Sequence, residues 1–181
     1  MKNTESIANF YQQQFGWMPK GLELAHAHFN VFDISSLVDK ELSTTPFKRR
    51  DFYKITLLYG KDVVLNYADK TVEIDGHALV FSNPLIPYGW EGLEHVETGH
   101  YCIFNQAFFH RFGQLSDYPI YQAGGIHVFP LNETLYHQAE SISASTISIG
   151  DIIKNIQIVQ DRAEKNLQSI KTMEKTTHTG K

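Results

Sequence analysis

Nine histidines in 181 residues make metal binding and acid–base chemistry the first question. His26 and His28 stand two apart, a spacing that puts both imidazoles on one face of a strand, and Asp33 follows at a distance that suits a carboxylate ligand. The set is not completed: no glutamate stands in the usual place after the pair, and His77, His95 and His100 fall in turns or at a strand start. The histidines therefore read as surface or hydrogen-bonded groups, and neither a metal nor another cofactor is expected. Glu73 and Asp75 would share a strand face, but no acid or base partner accompanies them. No G-x-S-x-G elbow, P-loop, dinucleotide glycine motif or H-E-x-x-H helix occurs. The single cysteine, Cys102, sits among Tyr101, Ile103 and Phe104 and reads as a small buried hydrophobe rather than a nucleophile. No catalytic residue is nominated, and a metal-dependent enzyme using His26 and His28 stands only as the alternative reading.

Binding chemistry is better represented. Tyr53, Tyr59, Tyr67, Phe81, Tyr88, Trp90, Tyr101 and Phe104 can wall an apolar cavity in which phenol, indole and arginine groups orient a ligand. The run LIPYGWEGLEHVETG, residues 85–99, carries three glycines and a tryptophan and reads as a long shaped connection rather than a strand. Aromatic residues in such a loop serve a pocket rim better than a core. The candidate ligand-binding residues are Arg50, Tyr53, Tyr67, Pro87, Tyr88 and Trp90.

Strands must hold these residues in place. From Arg50 to Glu94 apolar and polar residues alternate in short runs, the period of strands with one wet face. Phe52, Ile55 and Leu57 open the first run, and Gly60-Lys61-Asp62 is expected to break it. Val63, Leu65 and Tyr67 form the second, and Asp69-Lys70 returns the chain into Val72 and Ile74 as a hairpin. Asp75-Gly76 predicts another tight turn, and a run from Ala78 to Phe81 stops at Ser82-Asn83-Pro84. Four short strands at this spacing predict a sandwich or small barrel. Further strands are expected within His26–Ile34, with uncertain register, at Gly99–Asn105 and at Ile126–Phe129. Ser35–Pro46 and Tyr118–Gly125 are expected to be loops.

Helices flank this core. Thr4–Phe15 predicts a short amphipathic helix stopped by Gly16, and Asn105 can cap a helix from Gln106 to Phe112. Asn132 can start another through Ile142. Asp151 can cap a last helix to about Lys175, in which Ile152, Ile156, Val159, Ala163, Asn166 and Ile170 recur at steps of four and three. That spacing is the seam of a coiled coil, and Asn166 within it can fix register and partner number. The parts are therefore a helical segment at 1–24, a β-barrel at 25–130, C-terminal helices at 131–175 and a polar, disordered tail at 176–181. Hydrophobic content of 42% and a net charge of −4 describe a globular chain without the basic field that holds nucleic acid. No signal peptide and no membrane span are visible, so a soluble, cytoplasmic protein is expected.

Three segments in order, RRDFYKITLLYG (49–60), LNYADKTVEIDGHALVFSNPLIPYGWE (65–91) and GHYCIFNQAFFH (99–110), resemble the amino-terminal domain of AraC-family transcription regulators over about residues 25–142. The resemblance implies a cupin-like barrel of the jelly-roll type followed by C-terminal helices. It also implies a small-molecule effector inside the barrel and a helical dimerisation surface at its end, as a homodimer or with a full-length regulator. Ile152, Ile156, Val159, Ala163, Asn166 and Ile170 fall where that surface would lie. Such regulators continue into two helix-turn-helix units, whereas the sequence here stops at Lys181, so direct DNA binding is not expected of it. A stand-alone small-molecule-binding cupin protein is a further alternative.

Overall fold

The computed structural model describes residues 4–19, 27–35, 43–84, 86–110 and 127–145. The first element, α1 (Ile7–Phe15), begins where the Ser6 hydroxyl accepts the Asn9 N–H at 3.1 Å. It ends at Gly16, which adopts the left-handed conformation, so the predicted stop holds. Ile7, Phe10 and Tyr11 face inward and join the core.

The sheet is built on two long strands. β1 (Phe29–Asp33) and β2 (Thr45–Lys48) precede β3 (Tyr53–Tyr67), which returns as β4 (Lys70–Ser82) through the two-residue turn Ala68–Asp69. The predicted hairpin is therefore present, but two other predicted turns are not turns. Gly60-Lys61-Asp62 lies inside β3, where Gly60 pairs with Gly76 and the next pair is Val63 with Ile74, leaving one extra residue on β3. This is a β-bulge. Asp62 has φ 54° and donates its N–H to Asp75 Oδ1 at 2.8 Å, while Gly76 on the facing strand has φ 105°. Gly and Asp supply positive φ, which a bulge uses as readily as a turn does.

The bulge is also where β3 changes neighbour. Its first half, Tyr53 to Gly60, pairs with β6 (Val96–Phe104), and its second half, Val64 to Tyr67, pairs with β5 (Tyr88–Glu91). The aromatic run Tyr88–Glu91, expected in a connection, is thus a strand. A 3-10 turn at Leu93–His95 links it to β6. β2, which begins in the last two residues of the segment expected to be a loop, pairs with β5. β1 pairs with β6 so that Phe32 lies opposite Tyr101 and stacks on it at 5.0 Å, which fixes the register the sequence left open.

Asn105 caps the helical turn α2 (Gln106–Phe109) as predicted, although the helix is shorter than expected. β7 (His127–Pro130) pairs with β4, and α3 spans 133–145 after an Asn132 cap to Leu135 N at 2.9 Å. The result is a mainly β chain whose seven antiparallel strands run β1-β6-β3-β4-β7, with β5 paired to β3 and β2 to β5. Among the described residues β1 pairs only with β6 and β7 only with β4, so the sheet curls without closing into the expected barrel. Among these residues no helix is long and apolar enough to cross a membrane. His26, the loop at 118–125, the seam Ile152, Ile156, Val159, Ala163, Asn166 and Ile170, and the tail lie outside the described residues.

Candidate ligand-binding site

Alternation along β3 sends Lys54, Thr56 and Leu58 to the inner face and, past the bulge, Val63 and Leu65 to the same side. The cross-strand partners add Ser82, Val80 and Ala78 from β4, Ile103 and Tyr101 from β6, and Tyr88 and Trp90 from β5. Helix α1 packs against this face through Phe10, whose ring lies edge-on to Phe52 and Tyr101. Most of these groups are apolar, but two polar clusters are embedded among them.

In the first, the N-terminal segment runs beside residues 49–51, with Glu5 N–H donating to Arg49 O and Asp51 N–H donating to Glu5 O, both at 2.9 Å. This places the Glu5 carboxylate between Lys48 Nζ at 2.7 Å and Arg50 Nε at 2.9 Å. Arg50 Nη1 donates to the carbonyls of Tyr88 at 2.8 Å and Lys48 at 3.3 Å, and the guanidinium lies 4.1 Å from the Tyr88 ring centroid. Burial of such a cation requires this degree of compensation.

The second cluster, one turn of the pleat further along β3, lacks compensation. Lys54 is 8% exposed; its ammonium lies 4.3 Å from the Tyr101 ring centroid and has no carboxylate or hydrogen-bond partner among the described residues. Burial, with the Arg50 charge in support, brings that ammonium down from 10.5 to about 7 against the opposing pull of Glu5. Thr56 Oγ1, Ser82 Oγ, Tyr88 OH and Trp90 Nε1 are likewise buried without a hydrogen-bond partner among the described residues. Burial raises the Tyr88 phenol; Arg50 and Ser82 lie near enough to offset this, but without hydrogen-bond geometry. Lys54, Thr56 and Trp90, with Ile34, Thr45, Leu58 and Leu93, line a cavity of ≈10 Å³, room for about one water. Gly89 lets this wall close: a Cβ there would come within 2.8 Å of the Thr45 carbonyl and 3.0 Å of the Phe47 backbone, so the glycine serves the approach of β2.

The six residues nominated from sequence divide accordingly. Tyr88 and Trp90 are together on the inner face, and Arg50 adjoins them, committed to Glu5. Tyr67 is partly buried against the same core, paired through its backbone with Tyr88. Pro87 precedes β5 and contributes its carbonyl to Ala68 N–H at 3.2 Å. Tyr53 points to the opposite face, where it stacks on Phe104 at 5.3 Å. Sequence reasoning missed Glu5, Lys54, Thr56 and Ser82. Its signal was available in RDFYKITLL: a lysine and a threonine at alternate positions, one of the two strand faces. Ile55 and Leu57 make the other face apolar as well, and with Thr56, Leu57 and Leu58 all buried the strand does not alternate cleanly.

The histidines carry other roles. His28 Nε2 meets Tyr11 OH at 3.1 Å, and Asn30 Nδ2 donates to that same phenol oxygen at 2.8 Å. Burial lowers His28 to about 4 and raises Tyr11 to about 12, so the neutral imidazole accepts the phenol proton. His100 Nε2 lies 3.8 Å from Asp33 Oδ2 in a cleft of ≈640 Å³ shared with Glu97 and Glu140 from β6 and α3. Burial raises the Cys102 thiol to about 11, which suits an inert side chain.

No protein-family model matches this sequence, and no curated protein matches it either.

Proposed function

We propose that this chain is the effector-sensing and dimerisation domain of an AraC-type transcription regulator, with a cupin-like frame and a small-molecule site on the inner face of the sheet. The observation that carries this reading is the group of buried polar side chains at Thr56, Ser82, Tyr88 and Trp90, without a hydrogen-bond partner among the described residues, beside the buried Lys54 with its ammonium over the Tyr101 ring. Each such group costs about 1–3 kcal/mol when left unpaired, and a bound ligand is the means by which a sensor recovers that cost. The ordered likeness of 49–60, 65–91 and 99–110 to the AraC-family domain supplies the regulatory part of the proposal, and the heptad seam from Ile152 to Ile170 supplies the dimer.

Thermal-shift screening tests the sensing role. A ligand present at a hundred times its Kd stabilises the native state by about 2.7 kcal/mol, and Trp90 fluorescence should change with it. A broad small-molecule library that moves neither signal would remove the sensing role. Sedimentation tests the dimer: Ile156→Asp or Val159→Asp should convert a dimeric protein to monomer, and a wild-type chain that is monomeric at high concentration would overturn it.

A further inference from the structure

We infer that the inner-face pocket binds its ligand through a carboxylate group, held by the Lys54 ammonium together with the Thr56 hydroxyl and the Trp90 indole N–H. The inference rests on the sensing role proposed above and specifies its ligand. The free polar groups of the described lining residues can all donate: the Lys54 ammonium in its protonated form, an indole N–H and a hydroxyl. No carboxylate is among the described lining residues. The groups acting on Lys54 through space are Arg50, Glu5 and the Cys102 thiol. Glu5 is held between Lys48 and Arg50, and Cys102 carries no charge at neutral pH because burial raises it to about 11. Among the described residues, the protonated Lys54 therefore stands without an anion of its own.

The alternatives fit less well. A sugar hydroxyl brings a proton that needs an acceptor, and among the described lining groups only the Thr56 oxygen and the neutral form of Lys54 can serve, neither of which meets the remaining donors. A phosphate brings further oxygens and close to two negative charges against one free ammonium. The ≈10 Å³ cavity admits about one oxygen-sized group, which suits one oxygen of a carboxylate with the body of the ligand outside. Because the empty pocket holds Lys54 near pH 7, an arriving anion favours the charged form and raises that value. Binding at pH 8 should then draw a proton from solution onto Lys54 Nζ.

Isothermal titration calorimetry on the full chain tests this. The probes are short aliphatic and aromatic monocarboxylates, each paired with its primary amide, together with neutral sugars and inorganic phosphate. Measurements at pH 8 in two non-phosphate buffers of different ionisation enthalpy count the protons taken up. At least one acid should bind more than about tenfold tighter than its amide, with proton uptake. Lys54→Met should weaken that binding about 10- to 100-fold and abolish the uptake, and Thr56→Val should weaken it less. The proton count on the unaltered protein stands even if a variant fails to fold. Acids that fail to bind while sugars, amides or phosphate do, binding without proton uptake, or full affinity in Lys54→Met would overturn the carboxylate inference and leave the sensing role standing. If no probe binds, the carboxylate inference fails, and a blank thermal-shift library in addition removes the sensing role.

Discussion

Two buried cations on the same face of this protein, Arg50 and Lys54, have opposite surroundings. Arg50 is enclosed by its own counter-charge: the segment at Glu5 runs alongside it and delivers the carboxylate, and two backbone carbonyls accept from its Nη1. Lys54 has an aromatic ring beside it and shares its surroundings with the unpartnered Thr56, Ser82, Tyr88 and Trp90, and it holds no acceptor among the described residues. The same sheet thus compensates one buried charge and leaves the next without a counter-charge among the described residues. A cation that holds a fold together carries its anion within the chain, whereas a cation kept for a ligand is left wanting one.

The comparison breaks most visibly at Glu5. Glu5→Gln leaves Arg50 buried and uncompensated and should cost about 3–5 kcal/mol in urea denaturation; a loss under 1 kcal/mol would make the Arg50 cluster no more structural than the other. Lys54→Met should act the other way, raising the stability of the ligand-free protein by about 1–3 kcal/mol at pH 7, because it removes a buried donor that nothing satisfies. The sign with pH follows from the lowered pKa. Between about pH 7 and pH 10.5 the unfolded chain holds a proton on Lys54 that the folded chain has released, so wild-type stability rises with pH in that window. The advantage of Lys54→Met should shrink accordingly toward pH 10.5, and a constant difference would show that Lys54 is not desolvated. Smallest of all, Thr56→Val should change stability by less than about 1 kcal/mol, with a gain expected. A clear loss would mean that the hydroxyl has a partner and that the second cluster is satisfied after all.

The sequence made the scaffold easier to recognise than the site. The hairpin between Tyr67 and Lys70, the caps at Asn105 and Asn132 and the stop at Gly16 follow from local backbone chemistry, and all are present. Gly60, Gly76 and Gly89 were misleading because glycine marks two conditions, a backbone turning and a backbone closely approached. Gly89 belongs to the second kind, so a strand looked like a loop. The site was less legible because it depends on which face of β3 turns inward, a choice made by the partner strands and by α1 rather than by β3 itself. Tyr88 and Trp90 were found through their composition, and Lys54 was hidden by its charge, which ordinarily marks a solvent-facing position.

The extra residue at the bulge has a consequence for the geometry of the site. Trp90 pairs through its backbone with Leu65, which along a straight strand would lie about 35 Å from Lys54, yet the two side chains border one cavity. A bend of the sheet at the irregularity between Gly60 and Val63, added to the reach of two long side chains, spans that separation. Deleting Lys61 would leave each inward residue of β3 inward, since Gly60 and Val63 already face the same way across the irregularity. It is therefore a pattern-preserving deletion that acts on the bend by itself, separating the arc of the sheet from its hydrophobic code as the determinant of whether the pocket exists.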